Sequence, residues 1–175
     1  MINLSIIPDE NLKDVSLIYH FYEDTGRIPL EIIFDAYSVY QEGITIDNYD
    51  GETGNFITFK FDKVSKSLVN ITFVSVNGKN IIPENFMENI HAAEGRYQFC
   101  LHDNKAAQRT YHTTQILFDV QCQNILVFFG KADVNALTFH DADKHLSLGL
   151  DTDYNLKSIL LKKLEKEQIK QILNL

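Results

Sequence analysis

From Gly43 onward the chain is written in a period of two, and no other feature constrains its fold as much. Between Phe56 and Phe61, the residues Ile57, Phe59 and Phe61 alternate with Phe56, Thr58 and Lys60. Successive side chains of an extended backbone point to opposite faces, so alternation of this kind specifies a half-buried strand. Ile44 and Ile46 alternate before it, and Val69, Ile71 and Phe73 make one apolar face of Leu68 to Val76. Asn48, Asp50, Gly51, Thr53 and Gly54 form a turn-rich loop, Val64 to Lys66 forms a second turn, and Asn77-Gly78 is a strong hairpin signal. Arg96 to His102 and Thr110 to Val120 continue the series, the latter long enough to cross a whole sheet. Asn124 breaks it, Ile125 to Phe129 is closed by Gly130, and Ala136 to Phe139 and Leu146 to Leu150 are shorter strand candidates.

Four segments carry a helical period instead. Pro8 to Tyr22 places Leu12, Val15, Ile18, Tyr19 and Tyr22 on one helix face, with Asp9 and Glu10 where the helix dipole favours negative charge. Pro29 to Glu42 suits a helix with Pro29 in its first turn and Gly43 just past its end. Pro83 to Ala93 reads as a short helix, with Phe86 and Ile90 four residues apart. The last stretch, Tyr154 to Leu175, predicts an amphipathic helix that starts near Leu160. Many strands joined by short turns imply antiparallel pairing, because parallel neighbours need long crossovers. The expected class is α+β with β dominant: mainly antiparallel sheets, sandwich- or half-barrel-like, with N-terminal helical segments and a C-terminal amphipathic helix. With no internal repeat, low-complexity tract or linker, residues 1–175 are expected to form a single domain.

Twelve Phe and eight Tyr against no Trp suit a pleated, half-buried surface. Residues 156–175 hold five Lys against two Glu, a balance of +3, whereas the rest carries 11 basic and 22 acidic residues, or −11. An acidic body with only three Arg repels phosphate backbones, so direct nucleic-acid binding is not expected; a basic protein would be attracted instead. Solubility alone is the competing reason for the acidity. No stretch suits a membrane span, and the start lacks the basic region of an export signal, so a cytoplasmic protein beginning at Met1 is expected. Cys100 and Cys122 lie in apolar segments and read as reduced core residues.

Catalytic signatures are not evident. Gly51 and Gly54 precede a strand rather than a helix and lack the Lys-Ser or Lys-Thr of a phosphate loop, and there is no Gly-x-Ser-x-Gly elbow. Four potential metal ligands fall within His140-Asp141-Ala142-Asp143-Lys144-His145, but the histidines are five apart, matching neither a helix face nor a strand face. A solvated turn is the simpler reading, and no metal or other cofactor is expected. Cys100 with His102, or His112 with Cys122, would share a strand face without any oxyanion-hole element. The candidate binding residues lie in acidic loops that carry a tyrosine: Asp47, Tyr49, Asp50 and Glu52, then Asp151, Asp153 and Tyr154, with Asp141 and Asp143 joining them if the fold permits.

In size, acidity, aromatic β content and want of a catalytic motif, the chain resembles the immunity proteins of bacterial polymorphic toxins, including those of contact-dependent growth inhibition. That resemblance is of character and carries over no functional residue. It implies a non-enzymatic protein that binds and neutralises a cognate toxin domain, expected to be basic, with a nuclease among the candidates. Two other readings stand beside it: a small-molecule-binding β protein, and a metal-dependent enzyme built on the His140 to His145 segment.

Overall fold

The alternating segments are strands of two open sheets that share one core. The computed structural model describes residues 2–8, 17–22, 29–34, 41–77, 81–102, 109–130 and 133–173. The smaller sheet has the order β2 (Ile18–Phe21), β3 (Leu30–Ile33), β6 (Leu68–Ser75), β5 (Phe56–Asp62), β4 (Gly43–Tyr49), β9 (Arg109–Thr110). The larger runs β1 (Leu4–Pro8), β8 (His91–Leu101), β12 (Thr138–Asp141), β13 (Leu146–Leu150), β14 (Leu156–Leu161), β11 (Asn124–Phe129), β10 (Thr114–Asp119), β7 (Ile81–Pro83). Pairing is antiparallel except at β4 with β9, β7 with β10, and β8 with β12.

The inward faces of both sheets meet in one apolar cluster. Ile57, Phe59, Phe61, Ile71 and Phe73 come from the small sheet; Ile125, Val127, Leu148, Ile159 and Leu161 come from the large one. Phe59 and Phe129 touch edge to face across the interface, their centroids 5.8 Å apart. Each such side chain contributes roughly 1.5–3 kcal/mol by leaving water, so this contact layer dominates the fold. The large sheet is also covered outside. Phe86, Leu117, Leu126, Phe128, Leu137, Phe139 and Leu160 form a second cluster, beneath Met87, Ile90 and Val134. Coverage on both sides explains why all of β11 and β13 is buried, and why β11 reads as a continuous apolar run after Asn124. Gly149 of β13 serves this packing, since a Cβ there would meet the Phe139 ring at 2.9 Å and the Ser158 hydroxyl.

The predicted helices are mostly strands. In Pro8 to Tyr22, Pro8 ends β1 and Ile18–Phe21 is β2; residues 9–16 lie outside the described residues. Tyr19 and Phe21 pack on the core while Ile18 and His20 face outward, a period of two that the helical spacing concealed. In Pro29 to Glu42, Leu30–Ile33 is β3, and residues 35–40 lie outside the described residues. Leu30 and Ile32 stand opposite Phe73 and Ile71 of β6, so cross-strand packing overrides the local helical pattern. Pro83 to Ala93 keeps only a 3-10 turn at Met87–Asn89 before β8 begins at His91. The C-terminal helix α1 is real but short, Lys166–Leu173, because Leu156–Leu161 is β14.

Two connections also differ from expectation. Asn77-Gly78 does not join a hairpin: β6 and β7 belong to different sheets, and the Asn77 side chain donates instead to the Thr53 carbonyl at 2.9 Å. Thr110 to Val120 does not cross one sheet but splits between them, with Arg109–Thr110 in the small sheet and Thr114–Asp119 in the large. Among the described residues no helix is long and apolar enough to cross a membrane.

Candidate functional site

The acidic residues divide sharply by the turns that hold them. Asp50 is buried, at 2% exposure. Its carboxylate accepts the amides of Glu52 (3.0 Å), Thr53 (3.3 Å) and Thr114 (2.8 Å), and the Thr53 hydroxyl. Burial opposes its ionisation, yet these donors together hold the carboxyl below the usual carboxylate value. Asp143, also buried, accepts the amides of His145 (2.7 Å) and Leu146 (2.8 Å) and the Tyr19 hydroxyl (2.8 Å). Burial first, and the Asp143 carboxylate second, keep the Tyr19 phenol protonated far into alkali. Asp141 takes the Ser147 hydroxyl at 2.6 Å and the Lys162 ammonium at 2.8 Å. Asp151 takes the amides of Asp153 and Asn155 and pairs with Lys157 at 3.5 Å; burial works against its charge, but these partners lower its pKa.

Four of the candidate carboxylates are thus committed within the fold, and the basic tail neutralises two of them. Nor are they gathered together. Asp141 and Asp143 precede β13 whereas Asp151 and Asp153 come after it, and five extended residues put roughly 16 Å between the two turns. The continuous acidic face joining all three stretches does not form. What remains outward is Asp47, which accepts the Thr58 hydroxyl at 3.0 Å and lies 3.9 Å from Arg109, with Tyr49, Glu52, Asp153 and Tyr154.

Close to them in sequence, Asn48, Leu156 and Lys157 line a cleft of about 220 Å³ between the sheets. Alternation along β4 turns Asn48 inward, at 2% exposure, and Tyr49 outward. Parallel pairing of β9 sets the Thr110 hydroxyl 3.1 Å from the Asp47 carbonyl and 3.2 Å from Asn48 Oδ1. Ile2, Phe59, Phe129 and Leu156 supply the apolar wall; Asn48, Thr110, His112 and Lys157 supply the polar one. Burial first, and then positive charge of which Lys157 is the smaller part, depress the His112 pKa below its ordinary value. Tyr49, Tyr111 and Tyr154 are 38%, 69% and 51% exposed, and each stands one or two residues from a residue of the cleft. Tyr154 holds a left-handed φ of 60°, which a glycine or asparagine would adopt more readily.

Tyr111, Thr110, Asn48 and Lys157 escaped the sequence reading as site residues, and His112 entered it only as a partner for Cys122. The signal for Thr110, Tyr111 and His112 was the polar stretch Thr110-Tyr111-His112-Thr113-Thr114 at the head of an apolar run, which marks a crossing between sheets rather than a strand.

The other candidates do not converge. His140 is buried with its ring edge-on to Tyr97 at 4.8 Å and its Nδ1 unpartnered, and burial lowers its pKa. His145 Nδ1 donates to the Lys162 carbonyl at 3.2 Å. Among the described residues no group of three His, Cys, Asp or Glu is placed to hold a metal ion. Cys122 is exposed in the turn after β10, not a core residue, and Cys100 is half-buried. Desolvation raises both thiol pKa values, helped at Cys122 by Asp119, so neither is set up as a ready thiolate. His102 Nδ1 lies 3.0 Å from the Ser5 hydroxyl, and His112 and Cys122 flank opposite ends of β10. Compared with known proteins, the chain matches no family model and no curated protein.

Proposed function

We propose that this protein is a non-enzymatic binding protein of the cytoplasm, and that its partner is a basic protein domain of the kind an immunity protein neutralises. The observation that carries the reading is three exposed tyrosines, Tyr49, Tyr111 and Tyr154, each one or two residues from the lining of the cleft, with Glu52 and Asp153 exposed in the same turns and Asp47 half-buried beside them. Tyrosine offers a large amphipathic contact area at low entropic cost and is enriched where interfaces exclude water. Outward carboxylates beside it attract Lys and Arg and accelerate encounter. Buried Asp50 and Asp143 take no part, because their oxygens face the chain's own amides.

The test is co-expression with the product of the adjoining reading frame. If that product arrests growth, this protein restores it, and the variant Tyr49→Ala/Tyr111→Ala/Tyr154→Ala fails to do so while melting within a few degrees of the parent. Glu52→Lys with Asp153→Lys slows association of the purified pair at low salt. Rescue by the tyrosine variant at the parent's level would remove this surface from the interface.

A further inference from the structure

We infer that the cleft bounded by β4, β9 and the start of β14 is a binding site for a small organic monoanion with a compact apolar body, such as an aromatic carboxylate. An apolar cavity of roughly 150 Å³ accepts one benzene ring. At about 220 Å³ this cleft has room for a ring bearing one small anionic group and too little for a nucleotide. Phe59, Phe129, Ile2 and Leu156 fit the ring, and edge-to-face contacts with the two phenylalanines orient it. Lys157 brings the cation, and His112, Thr110 and Asn48 bring hydrogen-bonding groups to the same wall. The sign of the local field agrees: after burial, what depresses the His112 pKa is positive charge, Lys157 included.

Asp151 already lies 3.5 Å from Lys157, so a bound carboxylate would share that ammonium with it. This competition makes two substitutions act in opposite directions. Lys157→Met removes the anchor. Asp151→Asn keeps the oxygen that accepts the turn amides and removes the rival charge.

The experiment titrates benzoate, benzamide and benzamidine into the full chain, followed by amide chemical shifts. Benzoate is expected to saturate, with shifts centred on Asn48, Thr110, His112, Gly130 and Leu156. Benzamide binds more weakly and benzamidine not at all. Lys157→Met weakens benzoate about tenfold and Asp151→Asn tightens it; His112→Phe, which fills the polar wall, abolishes it. Equal binding of all three compounds, absence of saturation, shifts remote from the cleft, or an unchanged affinity in both charge variants would overturn the site. The site does not rest on the partner reading, because the titration uses the isolated chain and its failure would leave the growth-rescue result untouched.

Discussion

Two acidic stretches that look alike in sequence, Asp47 to Glu52 and Asp141 to His145, end in opposite roles. In the first, Asp50 is the one carboxylate turned fully inward, beside the cleft-lining Asn48, while Tyr49 and Glu52 stay exposed and Asp47 half-buried. In the second, both carboxylates are consumed, Asp141 by Lys162 and Ser147, Asp143 by Tyr19 and two backbone amides. The difference lies in the backbone just beyond each aspartate. Asp50, Asp62, Asp119, Asp133, Asp143 and Asp151 each accept the amide two residues ahead, the turn in which a short carboxylate replaces a backbone carbonyl. These six aspartates therefore hold turns together. An acidic cluster is evidence for a partner only after its turn-holding members are subtracted.

Breaking the second stretch should have the largest effect. Asp143→Ala strands the Tyr19 hydroxyl, the buried Leu146 amide and the half-buried His145 amide, and urea unfolding is expected to show a loss of about 3 kcal/mol. Tyr19→Phe removes one of those bonds and should cost about 1 kcal/mol. Lys162→Met, which frees Asp141 from a partly exposed pair, should cost less than about 1 kcal/mol. An equal loss in all three would mean that this turn is no more structural than the surface around it.

The pH dependence sharpens the same contrast. Asp50 and Asp151 have folded pKa values below 3.8, so their stabilisation is complete above that value and drains away as pH falls through the folded values. Asp50→Asn should flatten this acid limb. His112 and His140 are depressed from 6.5. Their unfolded forms protonate first, so stability begins to fall as pH drops below 6.5. His140→Gln should reduce that earlier slope, read from urea midpoints between neutral and mildly acidic pH.

The sheet-rich character was legible where alternation was clean. Ile57, Phe59 and Phe61 of β5, and Leu146 to Leu150 of β13, stand as the sequence suggested. The helices were over-read because strands buried on both faces, or short strands flanked by turns, leave apolar residues at spacings a helix also satisfies. Leu156 to Leu161 shows it: its end, Ile159 to Leu161, is apolar on both faces because β14 has a cluster on each side. Within the site, Tyr49, Glu52, Asp153 and Tyr154 were visible as polar loops with an aromatic. Their cleft was not, because Asn48, Thr110, His112 and Lys157 come from distant segments that only the crossing between sheets brings together. The inward turn of Asp50 depended on a contact with Thr114, which no local pattern announces.

The division within the first stretch is the point on which the account stands, and side-by-side urea unfolding of Asp50→Ala and Glu52→Ala tests it. Asp50→Ala is expected to lose about 2–3 kcal/mol, having left several donors without their acceptor, while Glu52→Ala stays within about 0.5 kcal/mol of the parent. Equal small losses from both would contradict it, and would return Asp50 to the outer surface beside its neighbours.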